Sequence, residues 1–351
     1  AVVGAGNIAQ NIHLPQLSAM PGVALKVICD KQLSKTRVLA ERYNVPHAVR
    51  SVEEALQVPG VDAVVVTTST DAHASVALAA IQAGKHVFVE RPVGRSMQEA
   101  IDIRDAARTD DVQVMVGMNH RFRSDIVQLK NAVERGDIGP AFYVKAGWVK
   151  QRSTDARWLA QADKSGGGVL VDLGVVVIDM ILHVFNFGRV RSVNCSTFNL
   201  ETRTVEDVVV AMLTFENGAV ATIETSWSLM RAEDLYYCNV FGKKGSAFIN
   251  PFKLVKRVGN EFQTIVPSAA TPGVSVFRKS YDSELKHFAN AVRGLVPMVS
   301  TIDEAVERMR IVEALYASAS MQRRQTSNSS PASWSAPCAC QSAARRSTTS
   351  R

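Results

Sequence analysis

The 351-residue chain lacks several features that would narrow its class at once. Cysteines at metal-binding spacing are missing. Cys29, Cys195 and Cys238 stand far apart, and Cys338 and Cys340 form one close pair with no second pair to complete a zinc site. No metal is expected, and scattered thiols in a chain of this size fit a reduced, cytoplasmic protein better than a disulfide scaffold. An unbroken apolar run of membrane length is missing too. The longest, Gly168 to Gly188, contains Asp172, Asp179 and His183. Carboxylates are costly inside a bilayer, so this run reads as a buried helix, and no membrane partner is expected. Acids are absent from Gln322 to Arg351, where five arginines fall. The formal charge of +7 is therefore mostly a property of that tail, with +2 on the rest. Nothing in the folded part calls for a nucleic-acid partner. Internal repeats and a leader-peptide pattern are also absent. The first strand has only three residues before Gly4, against the usual five or six, so it is expected to be the remainder of a longer native start.

What is present begins at the first residue. Ala1-Val2-Val3 runs directly into Gly4-Ala5-Gly6-Asn7-Ile8-Ala9, and Asp30 closes a second apolar run from Val23. A dinucleotide-binding βαβ unit requires this arrangement. Gly4 allows a sharp turn, Gly6 allows the backbone to approach a pyrophosphate, and Ala9 permits close helix–strand contact. Asp30 can hydrogen-bond a ribose diol, and the pyrophosphate would meet free N–H groups at Asn7 and Ile8 where a helix starts. The acid favours a free 2′-hydroxyl, hence NAD; Lys31 and Lys35 leave room for the extra phosphate of NADP.

Strand and helix signals then alternate to about Met118. Apolar strands are expected at 1–3, 23–30, 63–67, 86–89 and 112–118. Helices are expected at 8–20 (bent at Pro15), 34–43, 51–57, 72–83 and 96–107. This pattern predicts a doubly wound parallel sheet of Rossmann type, with ligands beyond the carboxyl ends of its strands. Gly4 to Ile8, Asp30, Thr67-Thr68-Ser69 and Glu90-Arg91 fall on that rim. From about residue 121 the pattern changes to an α+β domain with an open antiparallel sheet. Glu216-Asn217-Gly218 marks a hairpin, and an apolar helix interrupts at 171–185. A late helix begins at Asp282. Another opens with the capping box Thr301-x-x-Glu304 and carries the stripe Ile302, Val306, Met309, Val312 and Tyr316. The division is thus 1–120, a Rossmann dinucleotide-binding domain; 121–320, a substrate and oligomerisation domain; and 321–351, a serine-, alanine- and arginine-rich tail expected to be disordered. The abrupt change of composition there suggests a shifted reading frame.

Taken in order, these motifs resemble the Gfo/Idh/MocA oxidoreductase family over roughly residues 1–320. The resemblance rests on Gly4-x-Gly6-x-x-Ala9, His13-x-Pro15, Thr67 with His73, Ala83-Gly84-Lys85-His86-Val87 and Glu90-Arg91-Pro92. It continues through Arg121-Phe122, Gly136-x-x-Gly139, Trp158, Gly166-Gly167-Gly168, Asp172-x-Gly174 with Asp179, and Ala314-x-Tyr316-x-Ser318. It implies NAD or NADP, a small sugar-like or cyclitol-like substrate, and a homodimer or homotetramer built through the second-domain sheet. It also implies a cofactor-side place for His73, read as support for the loop after Thr67. Relatives usually carry lysine where this chain has Arg91, and histidine where it has Val176.

Those departures matter chemically. Alcohol oxidation needs a hydride acceptor and a base for the hydroxyl proton. Valine cannot serve, and arginine is always protonated, though its fork of donors can orient a hydroxyl. Asp172, Lys164 and His120 are the candidate replacements. Asp172 is favoured if burial raises its pKa, and Asp172, Val176 and Asp179 are expected to share a helix face. Trp158 would stack near the nicotinamide or cap the cleft, and the three glycines suit close backbone approach to a ligand. The expected function is an NAD(P)-dependent oxidoreductase with Arg91 and Asp172 at its centre. The alternatives are a catalytically weak or inactive sensor or scaffold of the same fold, and a hydride chemistry whose proton comes from substrate or water.

Overall fold

The computed structural model describes residues 1–151, 157–266 and 276–328. Six short parallel strands form the first sheet: β1 (Val2–Val3), β2 (Val27–Cys29), β3 (His47–Val49), β4 (Ala63–Val66), β5 (His86–Val89) and β6 (Val114–Val116), in the order β3-β2-β1-β4-β5-β6. The order reverses between β1 and β4, which opens a crevice at the carboxyl ends of these two strands. The central strands are apolar on both faces because helices cover both. Those helices are α1 (Leu14–Ala19), α2 (Leu33–Tyr43), α3 (Val52–Gln57), α4 (Thr70–Gln82) and α5 (Met97–Thr109). Cys29 is buried in this sheet as a small hydrophobe, its thiol pushed up to about 12 chiefly by burial.

Local detail differs from the sequence expectation. The strand expected over 23–30 covers only 27–29, and β3 falls in a stretch too short to show alternation. The helix expected over 8–20 is a π-helical turn, Ala9–His13, followed by α1. Pro15 does not bend it; it sits in the first turn of α1, where its missing N–H is no loss.

After α6 (Ser124–Glu134), the second sheet holds β7 (Ala141–Val149), then beyond α7 (Ala162–Ser165) and α8 (Val175–Val184) the strands β8 (Val190–Phe198), β9 (Val208–Phe215), β10 (Val220–Ser226), β11 (Leu235–Gly242), β12 (Gly245–Phe248), β13 (Lys253–Val258) and β14 (Glu261–Ile265). Its order is β14-β13-β12-β11-β7-β10-β9-β8. The sheet is mixed rather than wholly antiparallel. The helical crossover and the β8–β9–β10 meander return the chain so that β10 lies parallel to β7. The apolar segment Ala162–Val184 is long enough to cross a membrane, yet it is mostly buried against the inner face of this sheet.

Two late helices complete the two cores. Leu285 and Phe288 of α9 (Val276–Ala291) join the core that contains Ile28 and Phe88 of the first sheet. In α10 (Ile302–Asn328) the first turns, from Ile302 to Met309, pack on the first half, and Ile311 to Ala319 pack on the second. Thr301 caps α10 through the Glu304 N–H, as the capping box predicts. In chain order α9 follows the second sheet yet packs in the core of the first, and α10 contributes to both cores. Nor is the chain irregular from residue 321: α10 continues to Asn328, and Gln322 bonds Asn194 and Ser196 of β8. Residues 329–351, including Cys338 and Cys340, lie outside the described residues.

Candidate active site

A trough of about 770 Å3 lies along the crevice, lined by Gly4, Gly6, Asn7, Ile8, Asp30, Thr67, Thr68, Ser69 and Trp158. The two glycines occupy different situations. Gly4 has φ +97°, and a Cβ there would lie 2.7 Å from the backbone of Thr67 and Thr68, so only glycine fits. A Cβ on Gly6 would meet only Thr67 O, at 3.9 Å. The protein does not fill that space, which is the cradle a pyrophosphate requires. Asp30 is held with one oxygen 2.8 Å from the Ala5 N–H and the other 2.9 Å from the Gln32 N–H. Thr67 donates to the carbonyls of Val3 and Gly4, pinning the turn. The open cradle and the fixed carboxylate fit a dinucleotide.

Ile8, Thr68 and Trp158 also line a smaller cavity of about 210 Å3 that adjoins the trough. It contains Glu90, Arg91, His73, Asp172 and Tyr281. Arg91 Nη1 donates to Asp172 Oδ1 at 2.9 Å and to the Asp172 carbonyl at 2.6 Å. Burial opposes the charge on Arg91, and Asp172 more than restores it, so its pKa rises. The other oxygen of Asp172, Oδ2, accepts from Trp227 Nε1 at 3.1 Å. Each carboxylate oxygen thus accepts one side-chain hydrogen bond, and Asp172 serves as the anchor of Arg91.

The supporting residues are built as tightly. Nδ1 of His73 lies 2.7 Å from the Pro92 carbonyl and Nε2 lies 3.1 Å from that of Thr68; burial pushes its pKa down. It braces the loop after Thr67, as expected, and is not a proton donor to substrate. Glu90 Oε1 lies 2.7 Å from His13 Nε2. Burial pushes the Glu90 carboxyl up, but the bond and charge of His13, with Arg91, hold it below its ordinary value. Tyr281 lies near enough to Arg91 to act on its charge, and burial raises its phenol well above the ordinary value. No motif marked Tyr281 or Trp227. Their signals were single aromatic residues on elements far away in sequence.

Four expectations need correction. Lys164 is exposed on α7 and lines neither cavity, because the short helix turns it outward. Asp172, Val176 and Asp179 do not share a face: a π-helical turn, Leu170–Gly174, shifts the register before α8. Val176 packs with Met118, Val175 and Trp148, while Asp179 is buried between Arg121 and Arg308 in an ion cluster of its own. The glycines 166–168 are used for packing as much as for ligand approach. A Cβ on Gly167 would lie 2.2 Å from Tyr316 Oη, and one on Gly168 2.0 Å from Glu206 O. Glu206 in turn caps the segment, accepting from the N–H groups of Gly168 and Leu170. His120 is buried against Trp148 and Tyr236 and does not line the smaller cavity.

Two family models match the chain. "Oxidoreductase family, NAD-binding Rossmann fold" covers residues 1–118, and "GFO/IDH/MocA C-terminal domain" covers 126–248. Among curated relatives, the D-glucoside 3-dehydrogenase of Escherichia coli is 27% identical over 91% of this chain and 94% of its own length. The scyllo-inositol 2-dehydrogenase (NAD(+)) of Bacillus subtilis is 26% identical over 87% and 90%. Among solved structures, GenD2 from gentamicin A biosynthesis, in complex with NAD, superposes with a TM-score of 0.80 at 25% identity, covering 92% of this chain and 94% of that one.

Proposed function

The chain belongs to the Gfo/Idh/MocA oxidoreductase family, and on that premise we propose that it is an NAD-dependent dehydrogenase of a sugar, cyclitol or related hydroxy/keto compound. The names of the glucoside and inositol dehydrogenases support the substrate class. The observation that carries the reading is the junction of the two cavities. The trough that fits a dinucleotide opens, at Ile8, Thr68 and Trp158, onto the cavity holding the Arg91–Asp172 pair.

The Gly6 cradle and the N–H groups of Asn7 and Ile8 would hold the pyrophosphate, and Asp30 the adenosine ribose. A bound nicotinamide supplies the hydride acceptor or donor. Arg91, locked by Asp172, presents its remaining donors to a substrate oxygen and favours negative charge there. Trp158, shared by both cavities, covers the junction. Asp30 supports NAD over NADP because its fixed carboxylate accepts from a ribose hydroxyl and repels a phosphate; Lys31 and Arg50 in the same trough temper that preference.

Purified protein incubated with NAD+ or NADP+ and a panel of inositols, sugars and alkyl glucosides should raise reduced-nicotinamide absorbance, faster with NAD+. Tight cofactor binding without turnover on any member would instead favour the sensor or scaffold. The outer face of the second sheet supports self-association. Val210 and Met212 are about half exposed there, beside the Tyr143–Phe241 stack at 5.5 Å. Light scattering should find a dimer or tetramer; a monomer at micromolar concentration would remove that part of the reading.

A further inference from the structure

We propose that Arg91 grips two oxygens on neighbouring carbons of an uncharged substrate, the reacting hydroxyl and the one beside it, so that the smaller cavity selects a vicinal diol. The assignment rests on the function proposed above and names the substrate feature that this site reads.

Nη1 of Arg91 commits both of its hydrogens to Asp172, one to the carbonyl at 2.6 Å and one to Oδ1 at 2.9 Å. Nε–H and the Nη2 hydrogens remain. Among the described residues no protein group accepts from them, and neither nitrogen is a buried atom closed off without a partner. Arg91 lines the smaller cavity, so these are the donors left for a ligand there. Nε–H and one Nη2–H run parallel, which makes a two-armed donor for a pair of oxygens close together. Hydroxyls on adjacent carbons, held gauche, present such a pair.

The fork is also held still. Oδ2 of its partner Asp172 accepts from Trp227 Nε1 at 3.1 Å, and the Asp172 N–H donates to the Gly168 carbonyl at 3.2 Å. A fixed planar fork loses little freedom on forming two bonds, unlike an ammonium on a flexible stem.

The charge balance argues for a neutral ligand. Arg91 is the one lysine or arginine among the described lining residues, and Asp172 already meets its charge. The other lining carboxylate, Glu90, is taken up by His13. No cation is left over for an acid substrate, which would enter unpaired; a diol satisfies both arms and adds no charge. Trp158, Leu159 and Val171 offer apolar wall to the carbon skeleton.

The two arms act differently. Negative charge builds on the reacting oxygen as its C–H bond breaks, so the arm on it strengthens in the transition state. The neighbouring oxygen keeps its charge, and the arm on it serves binding and orientation.

The test compares myo-inositol, scyllo-inositol and methyl β-glucoside with their singly deoxygenated analogues, in wild type and Arg91→Lys, with NAD+. NMR of the product locates the oxidised carbon. Removing one of the hydroxyls that flank it should lower wild-type kcat/KM about 30-fold, mostly through KM. In Arg91→Lys, whose ammonium is a single point of charge, that penalty should shrink to within threefold, while penalties at more distant hydroxyls stay as in wild type. Methyl β-glucuronide should react at least about tenfold less efficiently than methyl β-glucoside. If Arg91→Lys gives no turnover, the same pairs are compared by calorimetric binding to the protein–NADH complex; if it fails to fold, the wild-type penalties and the glucuronide ratio decide. Flanking penalties all below threefold in wild type, equal flanking penalties in both proteins, or a preference for the glucuronide would overturn this assignment alone. Silence of the wild type toward every probe would overturn the functional reading and this assignment with it.

Discussion

Two segments of this protein are built to the same plan and used differently. Gly4 and Gly6 lead into the π-helical turn Ala9–His13 and then α1; Gly166 to Gly168 lead into the π-helical turn Leu170–Gly174 and then α8. The first lines the trough and reaches the smaller cavity at Ile8; the second lines the smaller cavity alone, through Gly168, Val171 and Asp172. In the first segment the space beside Gly6 is open. In the second, Glu206 and Tyr316 already occupy the space beside the glycines. A glycine beside open space and a glycine packed against protein therefore look alike in sequence, and only the filled or empty volume beyond the missing Cβ separates them. The π-helical turns have a shared effect. Each widens the helix start by one residue, so the side chains after it leave the face that a 3.6-residue period would give them.

The largest expected effect separates the two segments most sharply. Gly168→Ala would force a methyl to within 2.0 Å of the Glu206 carbonyl, so it should destabilise the fold by about 3 kcal/mol, measured by denaturant unfolding. A near-neutral result would mean that this loop is as open as the first. Asp172→Asn breaks the charge of the Arg91 anchor and should lower kcat about 100-fold, roughly 2.7 kcal/mol, with a smaller change in KM; unchanged kcat would place the chemistry elsewhere. Gly6→Ala should leave stability within about 0.5 kcal/mol and weaken NAD+ binding about tenfold by calorimetry. Equal affinity would show that nothing approaches that backbone.

The smallest effect concerns the far end of α8. Burial holds His183 at about 4, below its ordinary value of 6.5. The unfolded chain then binds the proton first. Stability attributable to this group is full above pH 6.5 and falls as pH drops from 6.5 toward 4. His183→Gln should flatten the wild-type loss of stability across that window, and a parallel pH dependence in both proteins would assign the loss to other groups.

Much of the first half was legible before any coordinates. Apolar strands between helical periods, with Gly4 and Gly6 after the first and Asp30 after the second, specify a local unit of about 30 residues, and local units are what a linear reading detects. The partners of His73 are equally local, five and nineteen residues away. The pairing of Arg91 with Asp172 spans 81 residues, and that of Asp172 with Trp227 spans 55. Neither follows from spacing. The role of Asp172 as the anchor of Arg91 therefore became visible only with its neighbours in place.

The sequence by itself determined the cofactor end of the molecule. Strand, tight turn and helix start are short-range consequences of backbone sterics, and Gly4 at φ +97° admits no other residue. The tertiary structure alone decided the reaction end. Which carboxylate is anchored and which glycine is packed against protein both depend on volumes and partners supplied by segments distant along the chain. Hydrogen bonding and close packing act on distance in space, to which the order of residues is only an indirect guide.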